Sequence, residues 1–444
     1  MKKVFLMYFI MLAFVLNVQA KGAKNNFAAV IEESGVDVES IAVSIKNANS
    51  GKVVYALNDK ILMNPASVQK ILTTPVVYEV LGEDYLFRTM LYSRGEDCYV
   101  LKLGADPYLS AKELKNLISN IKPNPQRVFI DDRILDNKTW GEGWQWDDDL
   151  NTLMPKFSSY NLDKNLVKLT IMPDSNGQFA TIINPSKYPL VFFNHITSGE
   201  KTDIKVHRDN NVSTNTLMLS GTVARPTTIY IPVNNLQRYF NVQLTQALED
   251  RKIYLKHAFV PNRLAESDVF LAEATHSIDR AVSDVLKNSN NLVSETMFKL
   301  AGAKYLGLET GTDSAGIKMF NDYCEKNKID NSRIRITDAS GVSKNNLVSA
   351  DFVTDFLSVN KDNKIMENLP KPGEGTLTHR MLPIKDNLRA KTGTLSDLSS
   401  IAGYLTSKSG KKYTFCIMIN DMKLSASDKK MLEDFLIREA YLRL

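Results

Sequence analysis

The order of apolar and polar positions divides the chain into stretches of different texture. Ile41-Ala42-Val43-Ser44-Ile45 alternates loosely, Asn49-Ser50-Gly51 offers turn residues, and Val53-Val54-Tyr55 follows. That order predicts a hairpin. Next, Ile71, Leu72, Val76, Val77, Val80 and Leu81 recur at helical spacing and would bury one face. Pro65 suits the first turn of this helix, where a missing N–H costs nothing. Pro75 sits two turns in, cannot bond back to Ile71, and predicts a kink. From about Arg88 to about Ala265 short strands alternate with Asn/Asp/Gly/Pro/Ser clusters. The strands are Tyr99–Leu103, Arg127–Asp131, Leu166–Met172, Ala180–Ile183, Thr214–Leu219 and Thr228–Ile231. Helices are expected at Ala111–Ile121 and Leu236–Glu249. Helical patterning returns from about Ser267. Two helical stretches fill Ile278 to about Leu306, separated by Asn288-Ser289-Asn290-Asn291, residues that favour caps and turns. Ser399–Leu405 and Tyr413–Ile419 read as strands around Ser407-Lys408-Ser409-Gly410. Met431, Leu432, Phe435, Leu436 and Leu442 mark a final amphipathic helix. Its mixed Lys, Glu, Asp and Arg face favours a core helix packed on a sheet over a membrane-surface anchor.

The N-terminus reads as a targeting segment. Lys2 and Lys3 precede an apolar run, Val4 to Val18, broken only by Asn17 and short for a membrane span. Val18-Gln19-Ala20 presents small residues where a signal peptidase reads them, so cleavage is expected after Ala20. No cysteine follows that site to carry a lipid. An uncleaved anchor is the alternative; either way the chain is expected to be exported, to the periplasm or cell envelope. Without a retained anchor no stable membrane span is expected. The domain reading is then 1–20 signal peptide, 21–87 first part of an α/β catalytic domain, 88–265 one or two inserted β-rich modules, and 266–444 the second part. The ends of an inserted module must lie close together.

Composition narrows the classes. The net charge of +5 falls to +3 once Lys2 and Lys3 leave, too mild to argue for nucleic acid. Cys98, Cys324 and Cys416 are few and odd in number, so this is no disulfide scaffold. His195, His207, His257, His276 and His379 form no metal-ligand spacing, and no metal or cofactor is expected. There is no Gly-rich phosphate loop, internal repeat or low-complexity tract.

Chemistry enters with Ser67 and Lys70. Three residues apart at a helix start, they share a face one turn apart. Serine needs a base, and lysine can serve if burial or nearby cations lower its pKa. Ser-x-x-Lys alone is weak, since about one or two matches are expected by chance; Ser119–Lys122, Ser198–Lys201, Ser409–Lys412 and Ser427–Lys430 match too. Two later motifs select Ser67. Ser289-Asn290-Asn291 places a hydroxyl and an amide on a turn, and Lys391-Thr392-Gly393-Thr394 precedes the strand region starting at Ser399. Lys-Thr-Gly is the most informative, with about 0.1 expected by chance. Ser289 follows Ser67 by 222 residues, and Lys391 follows Ser289 by 102.

This ordered trio is the signature of class A β-lactamases and penicillin-binding proteins. The chain resembles the penicillin-binding D-alanyl-D-alanine carboxypeptidase/endopeptidases, low-molecular-mass class C penicillin-binding proteins with a large insertion between the first two motifs. Gly104-Ala105-Asp106-Pro107-Tyr108-Leu109, Gly143-Trp144-Gln145-Trp146-Asp147-Asp148, Asp338-Ala339-Ser340-Gly341-Val342-Ser343-Lys344-Asn345-Asn346 and Gly375-Thr376-Leu377-Thr378-His379-Arg380 resemble further family motifs in order. Ala339, Val342 and Lys344 stand where the family usually has Gly, Leu and Arg.

The resemblance implies a β-lactamase/transpeptidase-like α/β fold, an antiparallel sheet flanked by helices, interrupted by the β-rich modules. It implies action on peptidoglycan stem peptides ending in D-Ala-D-Ala and covalent inhibition by β-lactam antibiotics. Ser67 would attack the penultimate carbonyl and Lys70 would take its proton; Lys70 and Lys391 facing one cleft would favour deprotonating one of them. The N–H groups of Ser67 and Thr394 would hold the oxyanion. Ser289 would pass a proton to the leaving amine, Asn291 would hold the substrate amide, and Gly393 would let the substrate backbone approach the strand. Lys391, with the hydroxyls of Thr392 and Thr394, would bind the terminal carboxylate. Arg380 would support that pocket or be a surface ion-pair residue. Asp148 would recognise an amine on the stem's third residue or be a turn residue. Trp144 and Trp146 read as packing, and Asp106-Pro107 as a structural turn. Two other functions stay open: a serine β-lactamase of the same fold, and a catalytically silent cell-wall-binding module.

Overall fold

A computed structural model of the chain describes residues 23–175, 179–208, 215–255, 257 and 259–444. The expected targeting segment, from Lys2 to the cut after Ala20, lies outside the described residues, as does Thr214. The chain forms two compact units. The first comprises residues up to Val68, Val348–Asp362 and Leu369–Leu444; the second comprises Gln69–Leu347 and Asn363–Asn368.

The first unit is built on a five-stranded sheet in the order Leu388–Thr394, Ser399–Thr406, Lys412–Ile419, Ile41–Asn47, Val53–Leu57. Every neighbouring pair is antiparallel. Side chains alternate across a strand, and Ile41–Asn47 shows what each face meets. Ile41, Val43 and Ile45 join Phe27 and Ile31 of the Ala23–Ser34 helix and Leu432, Leu436 and Ile437 of the Ala426–Arg443 helix in one core. Ser44 and Lys46 face the Ala350–Val359 helix instead: Ser44 Oγ lies 2.9 Å from Thr354 Oγ1, and buried Lys46 pairs with Asp351 at 2.7 Å and with Asp355. With both faces covered, the strand is buried almost throughout, which is why its hydrophobic alternation is loose.

The second unit combines helices Gln69–Leu81, Ile278–Asn288, Asn291–Leu306 and Asp313–Lys326 with three sheets. The Gln69–Leu81 helix continues through Pro75. A mixed five-stranded sheet runs Val260–Pro261, Arg127–Asp131, Cys98–Lys102, Leu86–Arg94, Val269–Ser277. Two three-stranded sheets follow: Val191–Ser198, Thr216–Val223, Asp203–Arg208; and Thr227–Pro232, Leu166–Met172, Thr181–Ile183. Their inner faces pack with helices Ala111–Ile118 and Leu236–Glu249 around Leu101, Leu117, Leu169, Leu219, Phe240 and Leu244. Val269–Ser277 corrects the expectation of helix from Ser267. It is a strand because Leu86–Arg94 gives it an antiparallel partner along its length, from Leu86 opposite Ser277 to Ser93 opposite Val269, with one register shift between Phe270 and Ala272. The chain therefore enters and leaves the β-rich segment on adjacent strands. Ala111–Ile118 ends a turn earlier than expected, with Ser119 as its C-cap.

Among the described residues no helix is long and apolar enough to cross a membrane. Cys98, Cys324 and Cys416 are free thiols.

Candidate active site

In the first unit the chain makes a short 3₁₀ turn, Ala66–Val68, directly before Gln69. Pro65 stands just outside this turn, and its carbonyl accepts from Val68 N at 3.2 Å. Ser67 is half-buried between buried Ala66 and Val68. Ala66 has φ 44°, a left-handed conformation that costs a non-glycine residue roughly 1–2 kcal/mol. Two contacts hold it there. Asn64 Oδ1 accepts from Ala66 N at 2.8 Å, and Ser400 Oγ donates to Pro65 O at 2.6 Å.

Ser400 belongs to the Ser399–Thr406 strand, whose partner Leu388–Thr394 carries the Lys-Thr-Gly motif in register: Lys391 opposite Ala402, Gly393 opposite Ser400. The motif thus lies within a strand at one end of the sheet order. Gly393 is required by close approach. A Cβ there would lie 2.4 Å from Ser400 Oγ and 2.9 Å from both Ala66 Cβ and Pro65 O. The nucleophile turn is therefore packed on the lysine strand. Lys391 is fully buried, and its Nζ donates to Thr392 O at 2.8 Å; Thr392 is half-buried and Thr394 exposed.

Arg380 is half-buried behind this hairpin. Its guanidinium donates to Glu433 Oε2 at 2.8 Å, to Asp434 Oδ1 and to Lys430 O. Glu433 Oε1 in turn accepts from Ser399 Oγ at 2.7 Å, opposite Thr394 in the hairpin. Burial raises the pKa of Glu433, and the Arg380 charge opposes that rise.

In the second unit Lys70 is completely buried on the Gln69–Leu81 helix. Its Nζ donates to Asn291 Oδ1 and to Ser340 O, both at 2.6 Å. Burial lowers its pKa from 10.5 to about 7, against the pull of Asp338 and Glu295. A desolvated ammonium held by two neutral acceptors gives up its proton far more readily than one in water. Asn291 is fixed from its other side, where Nδ2 donates to Leu153 O at 2.8 Å. Ser289, half-buried, ends the Ile278–Asn288 helix in a left-handed conformation, φ 62°. Asn290 caps the next helix by accepting from Val293 N. Asn291–Leu306 is buried on all sides as far as Ala303, hence its lack of an amphipathic pattern.

The Ser340 carbonyl is positioned by two buried carboxylates to which the sequence reading assigned no role. Glu295, one turn beyond Asn291, accepts from Ser340 N at 2.8 Å and Ala339 N at 3.2 Å. Asp338 accepts from Gly341 N and Ser343 N, each at 2.7 Å, and from Trp144 Nε1 at 2.8 Å. Burial and the Asp338 charge push Glu295 up to about 8. Spacing could have pointed to Glu295, since Asn291 and Glu295 are i, i+4 on one helix face. Ala339 does not have the positive φ that would demand glycine; Gly341 does, at 82°.

Trp144 packs against Phe157 and Trp140 as well as anchoring on Asp338. Trp146 is 80% exposed. Asp148 ends the 3₁₀ turn Trp146–Asp148, between the anchors at Trp144 and Leu153. It is half-buried, and its carboxylate has no hydrogen-bond or ion-pair partner among the described residues. The structure thus brings Ser67 together with Lys391, Thr392, Gly393 and Thr394 in one unit, and Lys70 with Asn291 in the other. Ser289 and Asp148 belong to that second unit, and Arg380 backs the first. Among the described residues no group of His, Cys, Asp and Glu could hold a metal ion.

Comparison with known proteins gives these residues a context. The chain is 23% identical over 408 residues to D-alanyl-D-alanine carboxypeptidase DacB of Haemophilus influenzae, covering 84% of each. It is 24% identical over 428 residues to a D-alanyl-D-alanine carboxypeptidase of Actinomadura sp. (strain R39), covering 87% of this chain and 79% of that one. A crystal structure of penicillin binding protein 4 from Haemophilus influenzae superposes with a TM-score of 0.82 at 22% identity, covering 94% of this chain and 99% of that one. The match confirms the α/β fold. A profile for the D-Ala-D-Ala carboxypeptidase 3 (S13) family matches residues 23–439, nearly all that the structure describes, and the chain belongs to that family.

Proposed function

We propose that this serine-type D-Ala-D-Ala carboxypeptidase forms its acyl-enzyme on Ser67 and uses Lys70 as the base. The observation that carries the assignment is Lys70: three residues after Ser67, fully buried, and depressed to about 7. A lysine of ordinary pKa would be almost wholly protonated at neutral pH and could not accept the serine proton.

The reaction then runs as follows. Neutral Lys70 takes the Ser67 proton as Oγ bonds to the carbonyl carbon of the penultimate residue. The backbone N–H groups of Ser67 and Thr394 hold the oxyanion. As the C–N bond breaks, the proton passes through Ser289 to the leaving D-Ala amine. Water hydrolyses the resulting ester. Lys391, Thr392 and Thr394 bind the terminal carboxylate of the substrate, and Gly393 lets its backbone lie along the strand. Asn291 spends its carbonyl on Lys70, so its first task is to orient the base. Arg380 acts at one remove, through Glu433 and Ser399, by holding the hairpin. The unpartnered carboxylate of Asp148 suits an amine on the third residue of the stem.

The substrate is the peptidoglycan stem peptide and the enzyme works outside the cytoplasmic membrane, released from its N-terminal segment. We assign 88–265 to inserted modules within a catalytic domain formed by 21–87 and 266–444. The adjacent strands Leu86–Arg94 and Val269–Ser277 support that assignment. The test is mass spectrometry of muropeptides after incubation with the purified enzyme. Loss of terminal D-Ala is expected, and any cleaved cross-links would show endopeptidase action through the same acyl-enzyme. Unchanged muropeptides would refute the proposal. A fluorescent penicillin separates the alternatives: a stable covalent band is expected, rapid turnover would indicate a β-lactamase, and no label a binding module.

A further inference from the structure

The motif Gly104–Leu109 has no place in this mechanism, yet its tyrosine reaches the Ser289 turn. Asp106 Oδ1 accepts from Tyr108 N at 2.9 Å, and Asp106 Oδ2 is hydrogen-bonded to His276 Nδ1 at 2.7 Å. The turn so formed aims the Tyr108 ring under Arg280, whose guanidinium carbon lies 4.1 Å from the ring centroid. The Tyr108 hydroxyl donates to Asp284 Oδ2 at 3.2 Å. Asp284 also accepts from Asn290 Nδ2 at 2.8 Å and from Asn288 Nδ2 at 2.9 Å. Its backbone carbonyl accepts from the N–H groups of Ser289 and Asn290. One residue thus takes both amides flanking Ser289 and the Ser289 N–H itself.

We propose that Asp284, oriented by Tyr108, is the positioning residue that keeps Ser289 in its left-handed turn and so aims its hydroxyl for proton transfer to the leaving amine. The proposal rests on the reading of Ser289 as that proton carrier. A left-handed serine is not held by its own backbone preference. Here the side chains on either side, Asn288 and Asn290, are tied to a single carboxylate, which fixes the turn between them. Burial, reinforced by the Asp284 charge, raises the Tyr108 pKa, so the hydroxyl stays a donor. The sequence signal is Asp-x-x-x-x-Ser-x-Asn, with asparagine on both sides of the serine.

Tyr108→Phe removes one hydroxyl and keeps the ring under Arg280. Asp284→Asn swaps one acceptor for a donor, which would face the amide of Asn288 or that of Asn290. Each should be made in the native enzyme and in Ser289→Ala, measuring kcat and KM on a D-Ala-D-Ala pentapeptide together with Tm. Small misplacements of a reacting group cost up to about a hundredfold in rate. In the native background both substitutions should therefore lower kcat by roughly tenfold or more, with KM within about twofold. In Ser289→Ala they should cost no further rate, because a residue acting through Ser289 has nothing left to position. Equal losses in both backgrounds, an effect on KM alone, or no loss would overturn the proposal. If Ser289→Ala itself leaves kcat unchanged, the reading of Ser289 is what fails, and the positioning role falls with it. If Asp284→Asn lowers the yield of folded protein, Tyr108→Phe decides alone.

Discussion

Gly393→Ala tests whether the lysine strand and the nucleophile turn depend on contact with each other. The added Cβ would stand 2.4 Å from Ser400 Oγ and 2.9 Å from Ala66 Cβ and Pro65 O. Unstrained contacts of this kind lie near 3.5 Å or beyond, so the strand and the turn must part by roughly 0.5–1 Å. Ser400 Oγ cannot simply rotate away without losing its 2.6 Å bond to Pro65 O. That bond helps hold the left-handed Ala66 beside Ser67. Overpacking of this kind typically costs about 1–3 kcal/mol of stability, or about 2–12 °C in Tm for a unit this size. The chemical cost is larger, since a displacement approaching 1 Å between reacting groups is worth on the order of a hundredfold in rate. Thermal unfolding and stopped-flow acylation by a fluorescent penicillin measure the two effects. The expected result is a folded protein with a modest loss of Tm and acylation slower by roughly one to two orders of magnitude. Native acylation kinetics would mean that the packing of Gly393 against Ala66 has no part in aligning the site.

Acylation should climb with pH through about 7, because only neutral Lys70 accepts a proton. At pH 5 the rate should be roughly a hundredfold below its plateau, and a flat profile from pH 5 to 8 would contradict the base assignment. The same group affects stability. Its folded pKa lies below its unfolded value, so between about 7 and 10.5 the unfolded chain binds more protons and stability from this residue rises with pH. Lys391→Ala should lose far more activity on a free-carboxylate peptide than on its C-terminal amide, whereas Lys70→Ala should depress both about equally. Equal losses for Lys391→Ala would mean it does not read the carboxylate. Arg380→Ala strands the buried Glu433 carboxylate and should destabilise by roughly 3–5 kcal/mol in urea unfolding. The acid-to-amide activity ratio should stay at its native value; a changed ratio would place Arg380 in the carboxylate pocket itself.

Where local pattern and tertiary context agree, the elements were legible in the sequence. Leu236–Glu249 was read at its observed bounds, because Asn235 caps it and its apolar stripe faces one core. Ile278–Asn288 and Asn291–Leu306 were separable because Ser289 and Asn290 mark the break. Pairing decided the rest. Val269–Ser277 becomes a strand through Leu86–Arg94, nearly two hundred residues earlier, and nothing within its own window reveals that partner. Val191–Ser198 and Asp203–Arg208 were likewise not anticipated, and both are ordered by the strand between them. Leu388–Thr394 does not alternate as strand residues usually do, because Lys391 is buried and Gly393 is close-packed, so its motif and not its pattern marks it as a strand. Ser67, Lys70, Ser289, Asn291 and Lys391 could be named from motif order. Spacing along the chain hints at Glu295 and Asp284, but their roles, like that of Asp338, come from backbone and side-chain contacts that exist only once the chain has folded.

The central claim is that Ser67 is the nucleophile. The direct measurement is peptide mapping by mass spectrometry after incubation with penicillin, on the native enzyme and on Ser67→Ala. One penicilloyl adduct on the peptide containing Ser67, and none on the alanine variant while its Tm stays native, is the predicted result. An adduct on Ser289, or full labelling of Ser67→Ala, would contradict it.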